Sequence, residues 1–403
     1  LTLIAIGVEG FLFMNKFEKI ILAITGGSHL SVHALMLTLP SLIPIIRNEF
    51  DVGLDTLGFV VTVSAFMFGL GAIPAGWAEK RFGGRQLLLM YQIGSSLSAL
   101  LVALSSSFEM MIVGLGLMGF FCSIYHPAGL TLISHRVKKL TRGMAVHGIF
   151  GSTGSALGPI LAVAVAAIIS WRASYAVLGI FNAILAISTF FAIPYRKRTE
   201  IPDEEFANNE VNTNKPALIL YFLTNAFMGM AYYGLTTFMP IHFAENTTAI
   251  FPNISANLKA GLFPTMVFIA GIGGQLVGAK IGEIFHKPTA LIWIILANIP
   301  FFILMGYTTD LLLVISSLFL GVAYFSNQPI GNTLIAQFTH NQNRGLGYGI
   351  SFFLSFGIGS FAAGFSGIIA VKMGVSAVFP AMGLLLIPSV IFGWFMRRAA
   401  GTA

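Results

Sequence analysis

Four histidines, His29, His33, His126 and His147, stand inside long apolar stretches of this 403-residue chain. An ionisable side chain at depth in a hydrocarbon layer is costly, usually faces the protein interior or a water-filled cavity, and so marks a candidate path for ions or polar solutes. Imidazole can donate or accept a hydrogen bond, titrate near neutral pH, or ligate a metal. His29 and His33 are one helical turn apart and share a face. At about 1.5 Å per residue, His29 lies about 13 Å and His126 about 12–15 Å from the same-side ends of their segments, so the two share a level. His147 stands nearer a segment start, beside Arg142. The competing reading is that each histidine only hydrogen-bonds a neighbouring helix and fixes packing. A histidine pair one turn apart suits metal coordination, but no nearby acid or cysteine completes a set, so neither a metal nor a cofactor is expected.

The second half offers neutral groups instead: Asn225, Tyr232 and Tyr233, then Tyr324, Asn327 and Gln328. Nowhere does a nucleophile–base pair or a nucleotide-binding glycine loop stand out, which argues against an enzyme and against a nucleotide-driven pump. The single Cys122, in an apolar run, can form neither a disulfide framework nor a cysteine metal site.

These residues must be positioned by the apolar segments that carry them. The chain is 56% hydrophobic and 9% charged, with a mean hydropathy of +0.86, far outside the soluble range. Runs of about twenty apolar residues can satisfy their backbone in a hydrocarbon layer about 30 Å thick only as helices. Twelve are expected, at 20–46, 56–78, 86–106, 109–134, 143–170 and 173–194, then 216–244, 259–282, 288–308, 311–337, 345–370 and 375–396. The reading is an all-α polytopic membrane protein in two six-helix bundles, 20–194 and 216–396. A lead-in at 1–19, a polar linker at 195–215 and a tail at 397–403 complete the chain.

Of the 22 Lys and Arg residues, only Arg47, Arg172, Lys259 and Lys372 fall in the odd-numbered loops. Both termini and the linker are therefore expected in the cytosol, with the protein integral to the cell inner membrane. The sequence pI near 9.5 reflects these anchors and not a nucleic-acid surface. An internal repeat supports two pseudo-symmetric halves: Pro127, Gly129, Thr131-Leu132-Ile133 and Arg142-Gly143 recur as Pro329, Gly331, Thr333-Leu334-Ile335 and Arg344-Gly345 at one constant offset of 202 residues. Gln328 and Asn327 occupy the repeat positions of His126 and Tyr125. Homologous six-helix halves are an architecture of secondary transporters, with substrate held near the midplane.

The loop Gly76-Trp77-Ala78-Glu79-Lys80-Arg81-Phe82-Gly83-Gly84-Arg85 resembles the loop 2–3 signature of the major facilitator superfamily, with one extra residue between acid and glycine. The resemblance implies that Gly76 lets helices approach. It also implies that Glu79, Arg81, Gly83 and Arg85, with Arg142 and Arg344, form a cytosolic gate. Gly148, Gly151, Gly154, Gly158 and Pro159 resemble an element associated with exporters of that superfamily. Ser28-His29 through Pro40 to Glu49-Phe50, Tyr125-His126-Pro127, and Gly151-Ser152 through Leu157-Gly158-Pro159 resemble its fosmidomycin-resistance branch. The chain departs from that branch at His33 and Ala128, where the branch pattern carries acids.

The resemblance implies a central cavity lined by segments 1, 4, 7 and 10. His29, His33, Tyr125, His126 and His147 would then face Asn225, Tyr232, Tyr233, Tyr324, Asn327 and Gln328. Such walls suit a small organic, anion-capable substrate held by hydrogen bonds and stacking. The expectation is a monomeric secondary transporter working by alternating access and favouring export of a small organic compound or drug, with protons as a candidate coupling ion through the buried histidines. Uptake or exchange of a small anion is the alternative within transport. A non-transporting scaffold or assembly factor on the same fold is the alternative outside it.

Overall fold

The computed structural model describes residues 15–138, 140–195, 213–340 and 344–401. Residues 1–14 of the expected lead-in and most of the linker lie outside them. The first half comprises α1 (Lys16–Phe50), α2 (Leu54–Phe82), α3 (Gly84–Ala103), α4 (Phe108–Ser123), α5 (Tyr125–Arg136), α6 (Leu140–Ile168) and α7 (Trp171–Ala192). The second comprises α8 (Lys215–Asn246), α9 (Ala256–Ile284), α10 (Lys287–Tyr307), α11 (Asp310–Phe325), α12 (Asn327–Phe338) and α13 (Arg344–Phe352). A π-helical stretch, Phe353–Ile358, then leads into α14 (Phe361–Met373), and α15 (Val378–Ala400) closes the chain. With α4–α5, α11–α12 and α13–α14 each counted once, twelve helices among the described residues are long and apolar enough to cross a membrane. The twelve-helix reading is thus correct.

Helix starts are set by side chains that accept the first orphan amides. Ser107 accepts from Met110 N, Ser170 from Ala173 N, Asn214 from Ala217 N and Ser255 from Leu258 N. The internal repeat extends to the geometry. The fourth span breaks at Ile124 and the tenth at Ser326, and every boundary of α4 and α5 recurs in α11 and α12 at the same 202-residue offset. Both breaks fall immediately before the first turn that carries Tyr125-His126 or Asn327-Gln328.

The chain divides into two compact units. One holds the described residues of Leu1–Leu39 and Val63–Glu204; the other holds Pro40–Thr62 with those of Glu205–Ala403. By its contacts, the hairpin 40–62 thus groups with the second half. In the first unit α3 packs on α7 and α4; in the second α15 packs on α8 and α10, and α9 on α11.

Candidate functional site

In the first unit α1 is held from several sides. Tyr91 of α3 donates its hydroxyl proton to Ser28 O at 2.9 Å, and Gln92 Nε2 donates to Ser28 Oγ at 3.0 Å. From α7, Asn182 Nδ2 donates to Ser31 Oγ at 2.7 Å. From α6, glycines lie against the same helix: a Cβ on Gly154 would stand 2.2 Å from Leu30 O, and one on Gly151 would stand 2.3 Å from Cε1 of His29. The Gly151–Gly154 pair therefore brings the two backbones together and leaves the space the His29 ring fills.

All four intramembrane histidines of the first half meet there, with Tyr125. The His29 ring stacks on His147 with centroids 4.0 Å apart, and stands 4.9 Å from His33, 5.2 Å from Tyr125 and 5.3 Å from His126. His29 is buried, whereas His33 and His126 are partly exposed. His147, nearer a segment start by sequence, joins the cluster by stacking and by two hydrogen bonds.

The hydrogen bonds run in a fixed direction. Tyr125 donates its single hydroxyl proton to Thr25 O at 2.6 Å, so the 3.2 Å contact to His147 Nδ1 is a bond in which His147 donates. The main-chain carbonyl of His147 can only accept, so His29 Nδ1 carries a proton and donates it across 2.8 Å. In a neutral ring that leaves a lone pair on His29 Nε2, which accepts from His33 Nε2–H at 3.1 Å. Two helices thus fix the orientation of His29 while its Nε2 faces His33. The ring nitrogens of His29, His33 and His126 lie within 4.8 Å of one another. The third imidazole nitrogen beside the His29–His33 pair, that of His126, comes from another helix, α5.

In the second unit the neutral candidates form their own cluster. Tyr232 stacks on Tyr324 at 6.0 Å and meets Tyr233 edge-on at 5.5 Å, and Phe356 stands edge-on to both Tyr232 and Tyr233. Tyr324 donates to Met228 O at 2.6 Å, while Asn327 Nδ2 donates to Tyr324 O. Asn225 Nδ2 donates to Ser351 Oγ at 2.7 Å and to Ser355 Oγ at 2.5 Å, tying α8 to the π-helical stretch. Gln328 is exposed. Ser351, Ser355 and Phe356 escaped the sequence reading, because a π-bulge, though frequent at functional sites, carries no periodicity of its own.

Among the residues expected at a gate, Arg85 donates from Nε to Ile193 O at 2.5 Å and from Nη2 to Phe190 O at 3.0 Å, so it holds the carboxyl-terminal end of α7. Arg81 is exposed, its guanidinium 5.6 Å from the Phe82 ring, and Glu79 is partly buried. A Cβ on Gly76 would meet nothing within 4 Å, so the close approach expected of that glycine is not seen. Gly83 has φ 77°, the left-handed conformation that glycine adopts without a Cβ penalty, and it makes the turn into α3. Arg142 and Arg344 lie in the first turns of α6 and α13; their side chains fall outside the described residues.

The family model described as Major Facilitator Superfamily matches residues 25–247. The chain is 22% identical over 383 residues to the fosmidomycin resistance protein of Escherichia coli (strain K12), covering 89% of this chain and 90% of that protein. It is 23% identical over 252 residues to a probable L-galactonate transporter of the same organism, covering 59% of this chain and 55% of that one. Among solved structures, the inward-facing, occupied form of a bacterial homolog to the human lysosomal transporter Spinster superposes with a TM-score of 0.79 at 13% identity, over 96% of this chain and 98% of that chain. That likeness bears on the fold, and the repeat, the twelve spans and the sequence match agree with it. The chain belongs to the Major Facilitator Superfamily.

Proposed function

We propose that this protein is a secondary active transporter that exports a small organic compound by alternating access, with His29, His33 and His126 contributing to its substrate site. The observation that carries the reading is the oriented imidazole cluster of the first unit. Its partly exposed members, His33 and His126, can as imidazoliums offer a second N–H to an anionic oxygen, while His29, His147 and Tyr125 hold the array from behind. Buried polar groups that only fixed packing would have no need of rings open on one side.

The second unit by itself offers, in the aromatic and amide cluster of Tyr232, Tyr233, Tyr324 and Asn225, stacking surface and hydrogen-bonding groups of the kind that organic compounds use. Export is supported by the small-residue series Gly151, Gly154, Gly158 and Pro159 and by the name of the fosmidomycin resistance protein among its relatives. Glu79, Arg81 and Arg85 are proposed as a cytosolic gate, with both termini in the cytosol. Uptake or exchange of a small organic anion is the second reading, favoured by the similarity to a probable L-galactonate transporter.

Flux into inside-out proteoliposomes, scanned over organic anions and neutral drugs chosen by thermal stabilisation of the purified protein, tests the reading. Accumulation that a protonophore abolishes, and that His126→Ala reduces without loss of folded protein, is the expected result. Stabilisation by no compound, together with no flux in either vesicle orientation, would leave the scaffold reading in its place.

A further inference from the structure

We propose that His29, His33 and His126 form a binding site for a first-row transition-metal dication of the zinc type. The proposal takes the imidazole cluster as its place but does not depend on what the protein transports.

The geometry already places two of the three nitrogens at the spacing of ligands on one ion. Two nitrogens on one tetrahedral ion, each at about 2.0–2.1 Å, stand about 3.3 Å apart. His29 Nε2 and His33 Nε2 are 3.1 Å apart, and the largest separation in the set of three is 4.8 Å. The rings are splayed and not stacked: His126 lies at 89° to His29 and 65° to His33, and His29 at 49° to His33. Three planes inclined in this way can direct one nitrogen each at a shared point, which rings stacked face to face cannot.

Second, the remaining nitrogen of His29 is already committed. Metal-bound histidines almost always donate their other N–H to a carbonyl or carboxylate, which fixes the tautomer and aims the lone pair. His29 Nδ1–H donates to the main-chain carbonyl of His147 at 2.8 Å, so its Nε2 is the lone-pair atom, directed at His33. Within the His29–His33 pair, loading an ion asks one change: His33 carries its proton on Nδ1 instead of Nε2, and the His33–His29 hydrogen bond gives way to two metal–nitrogen bonds.

Third, the donor set selects the ion. Three neutral imidazoles suit zinc, copper, nickel and cobalt, whereas magnesium, calcium and manganese prefer oxygen ligands. Three protein ligands leave a fourth position for water or for a carboxylate oxygen of an organic anion, as in open zinc sites.

The untagged full-length protein in detergent, titrated with Zn²⁺ by calorimetry and with Co²⁺ by visible absorption, tests the site. One ion per chain with the absorption of a tetrahedral nitrogen-ligated Co²⁺ is expected. His33→Gln and His126→Gln should each weaken binding by more than the 10–100-fold typical of losing an outer partner, and His286→Gln, in the loop before α10, should not. Metal-free elution profile and unfolding midpoint establish that each variant is folded. Failure of the wild-type protein to bind either ion, or undiminished binding in both His33→Gln and His126→Gln, would overturn the proposal. Because the readout is equilibrium binding, a protein that binds the ion but carries no organic compound would sink the transport reading alone, and the converse result would sink the metal site alone.

Discussion

Gly151 makes the space that the His29 ring occupies: a side chain at that position would begin 2.3 Å from Cε1 and 2.6 Å from Nδ1 and Nε2 of His29. The glycine series of α6 is thus more than a flat packing face. One of its members determines where an imidazole nitrogen points.

Gly151→Ala is therefore expected to displace the His29 ring and to break its bond to the His147 carbonyl. Overpacking of this kind costs about 1–3 kcal/mol, and the unfolding midpoint should fall accordingly. Gly148→Ala, where a Cβ would meet nothing within 4 Å, should leave the midpoint unchanged or raise it, since alanine is the better helix former. Equal effects of the two replacements would show that the ring does not occupy the space left by Gly151.

Tyr125 and Tyr91 each donate to a main-chain carbonyl of α1; Tyr91 also meets the Ser31 and Ser95 hydroxyls, which can turn to other acceptors, whereas Tyr125 accepts from the fixed ring N–H of His147. Removing the Tyr91 hydroxyl should cost about 1 kcal/mol, the ordinary net worth of one hydrogen bond. Tyr125→Phe removes two bonds and leaves a buried imidazole N–H without its acceptor, so a loss of about 1–3 kcal/mol beyond that is expected. The order of the two midpoints is the check; Tyr91→Phe being the more damaging would contradict the direction assigned to the network.

How far these features were legible in the sequence varied with the physics behind them. The twelve spans were legible because a hydrocarbon layer fixes both length and composition, and Lys16–Phe50 or Gly84–Ala103 could be read almost at sight. The meeting of His29 with His126 followed from equal depth, which residue counting captures. The approach of one ring nitrogen from each of His29, His33 and His126 to within 4.8 Å did not, because it depends on the azimuth of α5 about its own axis, and a sequence with weak amphipathicity conceals that angle. Gly76 was read as a close-packing glycine by motif, whereas the backbone requirement lies at Gly83, whose φ no spacing reveals. The stretch Phe353–Ile358 reads as an ordinary apolar helix, since one extra residue in a turn leaves no trace in hydrophobicity.

Asn225 is expected to hold that π-helical stretch through its two bonds to Ser351 and Ser355. In Asn225→Ala both serine hydroxyls lose their donor, and amide hydrogen exchange over 351–359 should accelerate while that over α3 and α7 stays as it was. Unchanged exchange over 351–359 would mean that the stretch is held by its packing alone.

From the distribution of Lys and Arg, Asp51 and His286 are expected on opposite sides of the membrane. Single cysteines at these two positions, in a protein whose Cys122 has been replaced by Ala, should react with an impermeant maleimide from opposite faces of sealed vesicles. Labelling from one face would reverse half of the topology.

The last prediction concerns the junction between the π-helical stretch and α14. Gly364 N and Ser360 O are four residues apart and would pair directly in an unbroken helix, but the Thr62 hydroxyl stands between them: it donates to Ser360 O at 2.8 Å and accepts from Gly364 N at 3.1 Å. A side chain inserted into the helical ladder in this way satisfies both groups and fixes a break. Thr62→Val keeps the shape and removes the hydroxyl; Ser360 O keeps its bond from Ala363 N at 2.9 Å, whereas the buried Gly364 amide must close on Ser360 O or go unpaired. A cost of about 1–3 kcal/mol is expected if that amide stays unpaired, and Thr62→Ser, which retains the hydroxyl, should recover most of it. Hydrogen exchange separates the outcomes. Fast exchange at Gly364 in Thr62→Val marks an unpaired amide; slow exchange there with an unchanged midpoint would show that the ladder closes without the hydroxyl, and that Thr62 does not hold the break.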